Sequence, residues 1–98
     1  VGDVVVTPVY NSTTSYSLKK NITQTFTASI SGLDIPQWNI TVNANGNTAT
    51  NYTATINNTN GTFTIKNLKQ SSYKLLITVA EQITGKSMVY SVGLGGLM

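Results

Sequence analysis

Apolar and polar residues alternate with a period of two along most of the chain, and no segment keeps the 3.6-residue period of a helix. Ile22, Phe26, Ala28 and Ile30 share one parity while Thr23, Thr25, Thr27, Ser29 and Ser31 share the other, which predicts a half-buried strand ended by Gly32. Trp38, Ile40, Val42 and Ala44 repeat the pattern up to Asn45-Gly46-Asn47, and Tyr52, Ala54 and Ile56 resume it. Asn and Gly tolerate the positive φ of a tight turn, so these two runs are expected to form a hairpin. A second polar turn, Asn57 to Gly61, leads into Phe63 and Ile65. Tyr73, Leu75, Ile77 and Val79 then give the clearest alternation, and Met88, Tyr90, Val92 and Leu94 the last. Val4-Val5-Val6, followed by Thr7, Pro8, Val9 and Tyr10, makes a seventh run.

Seven short strands within 98 residues predict an all-β fold, an immunoglobulin-like antiparallel β-sandwich. The stretch from Gly61 to Leu68, followed by Tyr73 to Ile77, resembles the corner between strands E and F of immunoglobulin-like and fibronectin-like modules. That resemblance implies a Leu plugging the core and a Tyr anchoring the next strand. The length fits one domain, divided into an N-terminal strand over 1–10, a Ser/Thr-rich linker over 11–17 and a sandwich head over 18–98.

Composition narrows the function classes. With 40% apolar residues in a regular pattern, the scarcity of charge does not signal disorder. Six Lys, no Arg and no His give a net charge of +3 without a basic stripe, so no nucleic-acid partner is expected. No run of about 18 apolar residues suggests a membrane-spanning helix. General acid–base chemistry usually needs His or paired carboxylates; here only Asp3, Asp34 and Glu81 are acidic, the last two in expected loops. No Cys is present for thiol chemistry, disulfides or metal ligation. The expectation is therefore a protein that is not an enzyme and holds no metal or cofactor. With so few carboxylates, stability should depend weakly on their ionisation, which suits an acidic setting. Trp38, Tyr52 and Tyr73 fall on the apolar parity, which favours core packing over a sugar-stacking platform. The glycines from Gly93 onward precede no helix, so they are read as a strand end rather than a phosphate loop.

Six Asn-X-Ser/Thr sequons begin at Asn11, Asn21, Asn39, Asn51, Asn57 and Asn60. The chain's 11 Asn and its abundant Ser and Thr would supply roughly three by chance. Such sequons are modified on chains exported from the cytoplasm, and a start at Val1 rather than Met is expected of a processed N-terminus. Asn21, Asn39 and Asn51 fall on the polar parity, with Ile22, Ile40 and Tyr52 directed inward, while Asn11, Asn57 and Asn60 fall in loops. All six are expected to be exposed. The same Asn-Ile-Thr pattern also suits any strand that is polar outside and apolar inside.

No sequon precedes Asn11. Val4, Val5 and Val6 carry strong β-propensity, and Pro8 restricts this segment to an edge or a strand end. Two placements are open to residues 1–10: back onto their own sandwich, or into the groove of a neighbour, which propagates head to tail into a filament. A short, Cys-free, sequon-dense, Thr/Asn-rich sandwich with a Val-rich N-terminal tail resembles the subunit of archaeal threads. These are heavily glycosylated surface filaments linked by donor-strand complementation, an architecture that bacterial chaperone–usher pilins share. The resemblance implies that Val4, Val5, Val6 and Val9 fill a neighbour's groove and that the six sequon Asn carry covalent N-glycans. It implies identical subunits as partners in an extracellular homopolymer, used for adhesion to other cells or surfaces. The absence of a disulfide departs from many bacterial pilins. The competing expectation is an immunoglobulin-like binding module of a surface-layer or adhesin protein, recognising sugar or protein through its loops.

Overall fold

A computed structural model describes residues 1–10 and 14–95. It contains eight strands among these residues: β1 (Val5–Thr7), β2 (Tyr16–Ser17), β3 (Thr23–Ser29), β4 (Trp38–Asn43), β5 (Tyr52–Asn57), β6 (Thr62–Asn67), β7 (Lys74–Glu81) and β8 (Lys86–Gly93). They form two four-stranded sheets, one ordered β1-β3-β6-β5 and the other β2-β8-β7-β4. Every pairing is antiparallel except that of β2 with β8. No helix among the described residues is long and apolar enough to cross a membrane.

The core is where the alternation is strongest. Phe26 and Ala28 from the first sheet, with Ile30 just beyond β3, meet Leu75, Ile77, Val79, Tyr90 and Val92 from the second, with Leu94 just beyond β8, all buried. Phe26 stacks on Phe63 with centroids 4.9 Å apart, and Tyr90 lies against both rings at 5.1 and 5.9 Å. Such ring pairs contribute about 0.5–1.5 kcal/mol beyond burial.

Several sequence expectations are corrected. The Asn45–Gly46 turn does have positive φ, 54° and 99°, but it joins no hairpin. β4 pairs with β7 and β5 with β6, so the connection crosses between sheets. It is held by the Asn47 side-chain amide, which donates to the carbonyls of Ala44 and Tyr73 at 2.9 and 3.0 Å. β5 is an outer strand, and its inward parity is poorly covered: Tyr52 is half-buried while Ala54 and Ile56 are exposed. Ile22 is exposed because Asn21, at φ 67°, breaks the strand before the alternation begins. Tyr73 is 56% exposed and Leu68 only half-buried, so the expected corner anchor is not built. Within the segment read as a linker, β2 pairs in parallel with Val92 and Gly93.

Glu81 ends β7 fully buried rather than lying in a loop. Burial pushes its pKa up, but the backbone N–H groups of Gln37, Thr84 and Ile83 and the Thr84 hydroxyl donate to it at 2.7–3.1 Å. Together they prevail and hold the carboxyl at about 2, against an ordinary 4.5. A pKa lower in the folded chain than in the unfolded one gives stabilisation that is complete above pH 4.5 and lost as the pH falls through about 2. Thermal melts should therefore hold steady from neutral pH to about 4.5 and then decline toward pH 2. The Glu81→Gln variant should melt lower at pH 7 and show a flatter acid limb; an unchanged acid limb would contradict this role.

Candidate assembly site

The N-terminal segment sits at the edge of the first sheet. Val5, Val6 and Thr7 pair with Ser29, Ala28 and Thr27, and Gly2 N–H donates to the Ser31 carbonyl at 3.0 Å. Alternation divides the four predicted donor valines. Val4 and Val6 are buried in the core, whereas Val5 is 45% and Val9 65% exposed. Burying the two inward side chains contributes about 1.5–3 kcal/mol each.

β8 supplies the facing wall. Its Tyr90 hydroxyl donates to the carbonyl of Pro8, which follows Thr7 through a cis peptide, and the Tyr10 ring meets Tyr90 edge-on at 5.0 Å. Burial pushes the Tyr90 phenol up, with the nearby Tyr16 and Tyr10 adding to the effect, so it stays protonated as a donor. Lys86 pairs with Asp3 at 3.3 Å, both exposed, a contact contributing about 0–1 kcal/mol. Between these walls runs an apolar groove of about 230 Å³, with Val4, Val5, Val6, Val9 and Tyr10 on one side and Met88 and Tyr90 on the other.

Two strand edges flank the groove. β1 has β3 on one edge and no described strand on the other. β8 pairs with β7 throughout, but on its far edge the described ladder reaches only Val92 and Gly93. The stretch from Lys86 to Ser91 is thus an open edge among the described residues, next to an apolar cleft. Such an edge is a template for strand addition.

The sequons are placed as follows. Asn21, Asn39, Asn57 and Asn60 are exposed, Asn51 is half-buried, and Asn11 lies outside the described residues. The Asn51 side-chain oxygen Oδ1 accepts from the N–H and hydroxyl of Thr48 at 2.9 and 3.2 Å. The Asn57 side-chain oxygen Oδ1 accepts from Asn60 N–H at 3.0 Å. A feature missed in the sequence appears once strands are registered. The outward face of the first sheet carries rows Thr7–Thr27–Thr62–Asn57, Thr25–Thr64–Thr55 and Thr23–Lys66–Thr53. Three of its threonines, Thr23, Thr53 and Thr62, are sequon hydroxyls, so this face lies beside the acceptors at Asn21, Asn51 and Asn60 and includes Asn57 itself. The threonine alternation was visible in the chain; which strands adjoin was not.

Among the described residues no three His, Cys, Asp or Glu side chains are grouped for a metal ion. Asp3 and Asp34 are exposed, and Glu81 already accepts four hydrogen bonds. What the groove offers is apolar contact and backbone pairing. No family model, curated protein or solved structure matches the chain.

Proposed function

We propose that this chain is a structural subunit of a glycosylated extracellular filament, assembled head to tail by exchange of its N-terminal strand and serving adhesion or cell contact. The observation that carries the reading is the seating of residues 1–10. They complete the core through Val4 and Val6, yet they do so from a sheet edge, and the next described strand begins only at Tyr16. The same contacts made between chains would join subunits without altering either sandwich, as in domain swapping. The joint works by burial and backbone pairing, and it calls for no catalytic group.

The strand order supports an immunoglobulin-type assignment. β1-β3-β6-β5 corresponds to strands A-B-E-D, and β4-β7-β8 to C-F-G, the constant-type arrangement, with Trp38 buried on the strand equivalent to C. This organisation resembles that of a subunit of archaeal threads. The sugars are tested by intact mass of protein from its natural source. Occupied sequons place the mass well above the bare 10.5 kDa, with Asn51 the least modified of the described sites because its side chain is held by Thr48. A mass at the bare value would remove the glycoprotein part of the proposal.

A further inference from the structure

Away from the assembly groove, the connection between β3 and β4 and the turn between β5 and β6 enclose a second cavity of about 260 Å³. It is lined by Ile35, Pro36, Gln37, Trp38, Asn58 and Thr59. Both walls are pinned. Gln37 N–H donates to the buried Glu81 carboxylate at 2.7 Å, and its carbonyl accepts from Gln82 N–H at 2.8 Å. Opposite, the Asn58 side-chain oxygen Oδ1 accepts from Ile40 N–H at 2.9 Å, tying the turn to the other sheet. Trp38 is buried with Gly61 against its indole, where an added Cβ would come within 2.5 Å of Nε1. Ile35, by contrast, is 72% exposed, the most exposed large apolar side chain among the described residues.

We propose that this cavity binds a neutral sugar ring. No lining residue is ionisable, so nothing there compensates a charged ligand. A wholly apolar guest would cover the Gln37 side-chain amide, the Asn58 side-chain NH2 and the Thr59 hydroxyl without offering them partners, which is costly. A pyranose fits both demands: its C–H face lies on Ile35, Pro36 and the edge of Trp38, and its hydroxyl rim meets the amides and the hydroxyl. The guest can come from two sources. One is the chain's own N-glycan at Asn57 or Asn60, on the same turn as Asn58 and Thr59; the other is a glycan from outside. The proposal is independent of strand exchange.

Trp38 is the sole tryptophan, so its fluorescence reports on the cavity directly. Unglycosylated chain titrated with a panel of neutral mono- and disaccharides should show a saturable emission change, half complete in the millimolar range expected of a single-ring ligand. Ile35→Asp and Thr59→Lys, both at exposed positions, should each weaken the response about ten-fold or more; their melting curves report whether folding is retained. If the guest is the chain's own glycan, the glycosylated protein starts with shifted emission and ignores added sugar until Asn57→Gln or Asn60→Gln frees the site. If the guest is external, glycosylated and bare chains respond alike, and either pattern supports a sugar site. No saturable change with any sugar, or equal responses in wild type and both variants, would overturn it. So would a response confined to apolar peptides.

Discussion

Removal of residues 1–10 is expected to abolish polymerisation and to leave a head domain close to the limit of stability. The deletion takes Val4 and Val6 out of the core and leaves Thr27, Ala28 and Ser29 without their partners in β1. It also strips the Pro8 acceptor from the Tyr90 hydroxyl and the Tyr10 ring from its face. The two valines alone account for about 3–6 kcal/mol, a large share of the roughly 5–15 kcal/mol that holds a domain folded. A synthetic peptide of residues 1–10 added in trans should raise the melting temperature of the truncated chain in proportion to the logarithm of its concentration. It should do so without restoring polymers, because the peptide brings no second head. Val6→Asp places a charge where Val6 is only 2% exposed and should reproduce the loss. A truncated chain that melts like the full one and ignores the peptide would mean that the N-terminal strand completes nothing.

Gly61→Ala should cost about 2–4 kcal/mol, more than a single methyl normally does. Gly61 sits at φ +71°, in the left-handed region that L side chains rarely adopt, and its Cβ would lie 2.5 Å from Trp38 Nε1 and 2.7 Å from Cδ1. Backbone strain contributes about 1 kcal/mol and displacement of a buried indole about 1–3 kcal/mol. Chemical denaturation with a red-edge tryptophan readout measures both the loss and the movement of the ring. The substitution keeps Asn60-X-Thr62 as a sequon, so its effect reports packing rather than lost sugar. A variant as stable as wild type would show that the turn does not press on the indole. It would also weaken the case for a rigid cavity beside it.

The sequence carried the sandwich because its central strands are buried on one face only. Phe26, Ala28 and Ile30, or Leu75, Ile77 and Val79, leave an alternation that nothing else produces. It was silent where neighbours decide. Ile56 looks as inward as Ile65 in the sequence, but β5 is an outer strand and β6 a central one. The turn at Asn45 and Gly46 has hairpin chemistry, yet β4 finds its partner in β7 through the distant pairs Ile40–Val79 and Val42–Ile77. Two-residue β2 is too short to show any period. Glu81 read as a loop carboxylate because, although Ile83 and Thr84 in the following turn supply three of its donors, the Gln37 N–H that completes the set reaches it only in the fold.

Much the same holds for the candidate site. The valine run and Pro8 marked β1 as an edge strand, and parity alone separates inward Val4 and Val6 from outward Val5 and Val9. The facing wall from Met88 and Tyr90 required the fold, since nothing in the chain announces that, among the described residues, β8 leaves an edge open opposite residues 1–10.

Strand exchange itself is tested most directly with thiols. The chain has no cysteine, so a Val5→Cys, Ser29→Cys double variant carries one engineered pair. These positions are register partners across β1 and β3 and both are exposed, and directly opposed residues on antiparallel strands lie within the Cα separation that a disulfide spans. Assembled material is oxidised and run on a denaturing, non-reducing gel. Strand exchange predicts a ladder of covalent multiples of the subunit that collapses on reduction; a single band of internally cross-linked monomer from the same assembled material would contradict it.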